Sequence, residues 1–188
     1  MWEKYFVLNK QFLSAEEASL ALTHVYNNVP RYSILSNAAG EDVRISREMA
    51  YMYERKVDYS YAGLTLPGQV WTSQLRTLAE RVSSAAGMCI NSVLINVYRD
   101  GRDEIRWHAD REPQLGFKPV IPTLNLGASR TFWFLHRPSG EKTSVVLEHG
   151  DLLVMLEDCQ IDCMHAVLKE KHVKDPRVSL TFRNVVHD

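Results

Sequence analysis

At 188 residues, 45% hydrophobic and 24% charged, the chain is long enough for one domain with a sizeable core and has the balance of a soluble globular protein rather than a disordered tail. Twenty-two basic and 23 acidic residues leave a formal charge of -1, which excludes a general polyanion coat and requires any nucleic-acid partner to be met by a local patch. Three cysteines, Cys89, Cys159 and Cys163, are too few for a disulfide framework, and no leader-like start or membrane-length apolar run is readable, so a reducing compartment, nucleus or cytoplasm, and no membrane association are expected.

With no internal repeat or linker, residues 1–188 read as a single domain: an N-terminal helix and lid over 1–66, then a helix and a β-rich core over 67–188. In "LSAEEASLALTHVYNN", Ser14 and Glu17 have capping-box spacing, and the helix they open is expected to run to about Tyr26 with Ala18, Leu22 and Val25 on its apolar face. Residues 30 to 66 mix tyrosines and basic side chains around a loop-like "NAAGED", which suits a surface hairpin or lid more than core. A second helix, "VWTSQLRTLAERVSSAAG", aligns Trp71, Leu75, Leu78 and Val82 and stops at Gly87. From Asn91 onward come "SVLINVY", "PVIPTLNLG", "RTFWFLH", "TSVVLE", "DLLVML" and "RVSLTFRNVV", short β-rich runs split by turns. Many short strands in a compact half favour a sandwich or barrel, with both helices buttressing a sheet.

The chemistry gathers around "RWHADREPQLG". Residues i and i+2 of an extended segment share a face, so His108 and Asp110 reach one point, and His165 in "CQIDCMHAVLK" is placed to join them from a neighbouring strand. Two imidazoles and one carboxylate with open positions are the set used by non-heme iron(II) oxygenases. A lone H-x-D is common, and its bland reading is an aspartate that orients a histidine or caps a turn. Arg177 and Arg183 stand six apart in the last strand and share a face; buried arginines require anions, and planar guanidiniums suit a dicarboxylate. Exposure on the solvent face is the competing reading. Asn96 and Tyr98, also i and i+2, either join that pocket or form a satisfied strand pair. A zinc site from Cys159, Cys163 and His165 lacks a fourth ligand, and packed thiols are the better reading of the two cysteines.

Taken in order, N-x-Y, H-x-D, a distant H and R-x-x-x-x-x-R resemble the AlkB-like iron(II)- and 2-oxoglutarate-dependent dioxygenases, in particular their eukaryotic-type nucleic-acid repair branch. The likeness runs from "DYSYAGLTLPGQVW" to "DPRVSLTFR", about the last two-thirds of the chain. It implies an α+β, mainly β fold with a double-stranded β-helix (jelly-roll) core. It also implies that His108, Asp110 and His165 are the catalytic metal set for iron(II), and that Asn96, Tyr98, Arg177, Ser179 and Arg183 hold 2-oxoglutarate. The implied activity is oxidative removal of N-alkyl groups from DNA or RNA bases, consuming dioxygen and releasing succinate, carbon dioxide and formaldehyde. A single strand or a flipped base is the implied substrate, and a monomer the expected state. Tyr61, with its neighbour Tyr59, is implied as a stacking partner for the base, and Glu112 is nominated as the carboxylate facing a cationic methylated base. A protein or small-molecule substrate for the same metal chemistry, and a non-catalytic reader of modified nucleic acid, stand as alternatives.

Arg47, Arg55 and Lys56 in the lid, with Arg102, Arg106, Lys169, Lys171 and Lys174, are either phosphate contacts or an ordinary solvated surface. The chain departs from the family pattern at Arg111, where an acidic residue is usual and where a guanidinium would repel a cationic base unless it points at phosphate. Further departures are Ser179 for the usual Asn, Cys163 for a frequent Trp, Leu168 for a frequent Pro, and a lid without the expected glycine pattern.

Overall fold

The computed structural model describes residues 2–56, 60–61 and 63–186. In chain order the elements are β1 (Phe6–Asn9), α1 (Ala15–Asn28), β2 (Tyr32–Asn37), β3 (Asp42–Tyr53), β4 (Ser60–Tyr61), β5 (Leu64–Thr65), β6 (Gly68–Val70), α2 (Ser73–Ala86), β7 (Ser92–Tyr98) and β8 (Ile105–His108). Then follow β9 (Ile121–Gly127), β10 (Arg130–His136), β11 (Lys142–Leu147), β12 (Leu152–Met155), α3 (Cys159–Asp162), β13 (Cys163–Val167) and β14 (Arg177–Arg183).

The helices begin and end for local reasons. Ser14 Oγ accepts the Glu17 N–H at 3.2 Å and Glu17 Oε2 accepts the Ser14 N–H at 2.9 Å, closing the capping box, and α1 continues to Asn28, two residues past the expected end. Thr72 caps α2 through the Leu75 N–H, and Gly87 ends it in the left-handed region at φ 65°. Ala18 and Val25 of α1 and Leu75, Leu78, Ala79 and Val82 of α2 are buried, Leu22 partly so.

Two sheets face each other in the expected jelly roll. The larger runs β1-β12-β9-β14-β7-β3-β2-β5-β4, with β6 on β3; the smaller runs β11-β10-β13-β8. All pairs are antiparallel except β3 with β6. Alternation in the three central strands divides their labour. Val93, Ile95 and Val97 of β7, Val178, Leu180 and Phe182 of β14, and Leu124 and Leu126 of β9 belong to the core under α1 and α2. The intervening Asn96, Tyr98, Thr123, Arg177, Ser179, Thr181 and Arg183 turn to the opposite face and line a cavity between the sheets. Both faces being covered, β7 and β14 are buried along their whole length.

The reading of residues 30–66 as lid rather than core needs correction. Met49 to Tyr53, the second half of β3, are buried and pair with β7 in the middle of the large sheet. "MAYMY" is a doubly covered strand: Ala50 and Met52 join the helix-side core, while Met49, Tyr51 and Tyr53 join the core between the sheets. β2, the exposed first half of β3, and the short β4–β5 hairpin form the outer edge.

Candidate metal and cosubstrate site

Strand pairing brings the two histidines together. β8 and β13 are antiparallel neighbours with His108 opposite His165, and the ring centroids are 4.2 Å apart. β8 stops at His108, so Asp110 lies just beyond the strand rather than within it. It still turns to the same point, its Oδ1 3.8 Å from His108 Nε2, because the buried Gln160 accepts the Asp110 N–H at 2.9 Å. One donor atom from each of His108, Asp110 and His165 lies within 4.8 Å of the others, and among the described residues no other cluster of histidine, cysteine and carboxylate donors does so. Cys159 and Cys163 are buried free thiols outside it, as packed cysteines are.

Each member carries a feature that fits a divalent metal ion. The Arg106 carbonyl, 2.7 Å from His108 Nδ1, can only accept, so the proton sits on Nδ1 and the Nε2 lone pair faces Asp110. His165 is 4% exposed, lies face to face with Phe132 at 5.4 Å, and has a buried Nδ1 without a hydrogen-bond partner among the described residues. Burial drives the His108 pKa down to about 4 and holds that of His165 well below the ordinary value, with the charge of His108 adding to the latter. Both rings are therefore neutral at pH 7, the form that ligates. Burial pushes Asp110 up to about 7 against the pull of Arg47, a cost that a bound cation would offset.

The other half of the cavity suits a carboxylate. Arg177 is 1% exposed; its Nε donates to Asn125 Oδ1, yet neither Nη1 nor Nη2 has a hydrogen-bond partner among the described residues. Its guanidinium carbon sits 5.0 Å from the centre of the Tyr98 ring, and burial lowers its pKa, so an anion delivered to the two Nη atoms would remove an electrostatic penalty. Arg183, equally buried, places Nη2 3.2 Å from Asp110 Oδ1 and joins the two halves. Ser179 lies between Asn96 on β7 and Asn125 on β9 in the ladder.

The residues assigned to the substrate side scatter. Arg47 is not a surface phosphate contact: it is 6% exposed, and its Nε donates to Asn96 Oδ1 at 2.6 Å. Arg111 turns away from the metal donors and gives Nε to the Gln160 carbonyl and Nη2 to the Ile161 carbonyl, both at 2.7 Å. The carboxyl of Glu112 is pushed up to about 7 by burial and by the charge of Asp110, with one oxygen buried and unpartnered among the described residues. Tyr61 stands in β4, while Tyr59 lies outside the described residues. Arg102, Arg106 and Lys169 are engaged in ion pairs with Asp100 and Glu104.

Two positioning residues escaped the sequence reading. Asn125 holds Arg177 and anchors itself through Nδ2 on the carbonyls of Leu147 and Glu148; an asparagine interrupting the apolar strand "TLNLG" was the signal for it. Gln160 had none, since its role depends on how α3 packs beside Asp110.

Residues 5–183 match the family described as the 2OG-Fe(II) oxygenase superfamily. The chain belongs to this superfamily. Within it the chain is AlkB-like. It is 35% identical to the human alpha-ketoglutarate-dependent dioxygenase alkB homolog 3, across 94% of this chain and 65% of that protein. It is also 35% identical to the human DNA oxidative demethylase ALKBH2, across 76% of this chain and 58% of that protein, so it spans less than two-thirds of the length of either. An uncharacterized protein, R406, of Acanthamoeba polyphaga mimivirus is 30% identical over 74% of this chain and 73% of its own. The solved structure of OsALKBH1 shares the fold, with a TM-score of 0.66 at 16% identity, covering 95% of this chain and 97% of that one. Iron(II) and 2-oxoglutarate, named in the family's description, are the cofactors that this donor set and these arginines fit. No helix among the described residues is long and apolar enough to cross a membrane.

Proposed function

We propose that this chain, acting as one dioxygenase domain over residues 1–188, is an oxidative demethylase that removes N-alkyl groups from nucleic-acid bases. The observation that carries the reading is the meeting, in one cavity, of a two-histidine, one-carboxylate set and a buried arginine, beside Tyr98, whose two Nη atoms lack an acceptor within hydrogen-bond geometry among the described residues. The printed name of one relative, a dioxygenase, supports the reaction class, and that of another, a DNA oxidative demethylase, supports the substrate class. Iron(II), when bound, supplies the redox chemistry that couples conversion of 2-oxoglutarate and dioxygen to succinate and carbon dioxide with hydroxylation of the N-alkyl carbon. The hydroxylated product then collapses to formaldehyde and the free base.

The chain's own part is positioning. His108, Asp110 and His165 hold the metal, with the Arg106 carbonyl setting the His108 tautomer and Gln160 fixing the Asp110 backbone. Arg177 takes a carboxylate of the cosubstrate on its two Nη atoms while Asn125 fixes its Nε; Arg183, Asn96, Tyr98 and Ser179 complete that wall. Tyr59 and Tyr61 are assigned base stacking by family resemblance, and Glu112 faces a cationic base. Arg111 keeps its positive charge, held at the carbonyls of Gln160 and Ile161. We assign the chain to the nucleus or cytoplasm, as a monomer acting on single strands or flipped bases.

The test follows succinate release and mass loss on methylated single- and double-stranded oligonucleotides with iron(II) and 2-oxoglutarate. The wild type is expected to do both and His108→Ala neither. Succinate formation with every methyl group retained would instead assign the same chemistry to another substrate.

A further inference from the structure

Aromatic rings in contact lead from the metal donors to Trp2 and Tyr5. The Phe132 ring lies face to face with the imidazole of His165, their centres 5.4 Å apart and their planes 13° from parallel. Phe134 follows at 5.1 Å from Phe132, Trp2 at 6.3 Å from Phe134, and Tyr5 at 5.9 Å from Trp2. Phe6 stacks on Phe134 at 4.4 Å, and β1, paired on β12, holds this segment against the sheets. Packing alone accounts for the phenylalanines. The far end is built differently. Tyr5 is wholly buried and donates its hydroxyl to Asp162 Oδ2 at 2.9 Å, across 157 positions of sequence, while Trp2 is partly exposed beside His136. A buried phenol needs an acceptor, for which a carbonyl would suffice; a carboxylate is in addition a base.

Indole and phenol give up an electron far more readily than a benzene ring, and tunnelling between rings in contact is fast because it decays steeply with the gap. A tyrosine that loses an electron must also lose its phenolic proton, which Asp162 is placed to take. Tyr98 lies nearer to the metal donors, on the cavity wall, but it is set between the buried guanidiniums of Arg177 and Arg130, whose carbons are 5.0 and 5.6 Å from its ring centre. Buried positive charge opposes electron loss. Lys4 Nζ is 4.6 Å from the Tyr5 ring centre, yet Lys4 is exposed and its charge is screened by solvent. Resting on iron(II) and 2-oxoglutarate as the cofactors, we infer that Trp2 and Tyr5 are the electron donors of a protective relay. It returns the oxidised metal to iron(II) when dioxygen and 2-oxoglutarate are consumed with no alkyl group in reach. Each ring gives one electron by way of Phe134, Phe132 and His165. The Tyr5 O–H bond breaks and its proton goes to Asp162 Oδ2; the Trp2 indole gives its proton to solvent. The two electrons, with two protons drawn from solvent, let the second atom of dioxygen leave as water. A solution reductant of the thiol or ascorbate class then restores both rings.

The test mixes the protein, loaded with iron(II) and 2-oxoglutarate and free of nucleic acid, with dioxygen, and follows succinate together with freeze-quench electron paramagnetic resonance. The wild type is expected to show an organic radical whose signal narrows when its tyrosines carry ring deuterium. Tyr5→Phe, which keeps the ring and its packing, should lose the tyrosyl signal. Trp2→Phe should lower its yield by removing the bridge, and Asp162→Asn should lower it by removing the base. The Mn(II) affinity of each variant should stay at the wild-type value, which shows the metal donors undisturbed. Peptide mass spectrometry should find more added oxygen on cavity-lining residues in Tyr5→Phe than in the wild type. Succinate formed by a radical-free wild type, a tyrosyl signal that survives Tyr5→Phe, or a yield indifferent to Asp162→Asn overturns the relay while the demethylase reading stands. So does succinate that appears only when a methylated strand is added. A wild type that forms no succinate with or without a methylated strand overturns the demethylase reading itself, and the relay with it.

Discussion

The interior of the jelly roll and its rim solve different problems. Between β7, β8, β13 and β14, polar groups are buried, each held by a ladder register and a specific donor or acceptor: His108 by the Arg106 carbonyl, Asp110 by Gln160, Arg177 by Asn125. On the rim, at the turn that carries Phe117, side chains are exposed and the backbone bends to present them. The interior holds the donor set and arginines that a metal and an anion fit, whereas a change on the rim leaves both undisturbed. A shared scaffold therefore does not by itself fix the substrate.

If this division is right, breaking the interior has the larger consequences. Arg177→Ala should weaken 2-oxoglutarate binding by about 2–5 kcal/mol, the cost of removing one partner of a buried charged pair, while Mn(II) binding, followed by electron paramagnetic resonance, persists. Unchanged cosubstrate affinity would remove Arg177 from the site. Gln160→Leu should lower metal affinity about 10–100-fold by releasing the Asp110 backbone, and isothermal titration with Mn(II) measures it. Acidification acts on the same group. With the metal-free Asp110 near 7 and His108 near 4, one proton must leave for each metal bound below pH 7, so affinity should fall about tenfold per pH unit between 7 and about 4.5. A flat profile over that range would mean that Asp110 is already ionised without metal. The smallest effect belongs to a region remote from both: Ser14→Ala should cost about 1 kcal/mol of stability in chemical denaturation and leave cosubstrate affinity unchanged.

What could be read from the sequence follows the same boundary. Period-two alternation located Arg177 with Arg183 and Asn96 with Tyr98, because both faces of β7 and β14 are buried and every residue there is committed to a side. Helix ends were legible where a cap is a local event, as at Ser14 and Gly87. The second half of β3 was missed because tyrosines and methionines that fill a space between two sheets look, one at a time, like surface or lid residues. Asp110 was matched to His108 by strand geometry, although β8 ends before it and a glutamine 50 positions away does the aligning. Arg47 could not be separated from the exposed arginines by sequence, since only its approach to Asn96 distinguishes it.

The alternation in β14 has one more consequence. Arg177, Ser179, Thr181 and Arg183 share that strand with Val178, Leu180 and Phe182, which fill the helix-side core. A one-residue slip against β7 and β9 would exchange the two sets, sending guanidiniums under the helices and apolar groups into the reaction chamber. A slipped register would bury unpaired charge under the helices, so the energetics that fold the chain also aim its two arginines into the cavity.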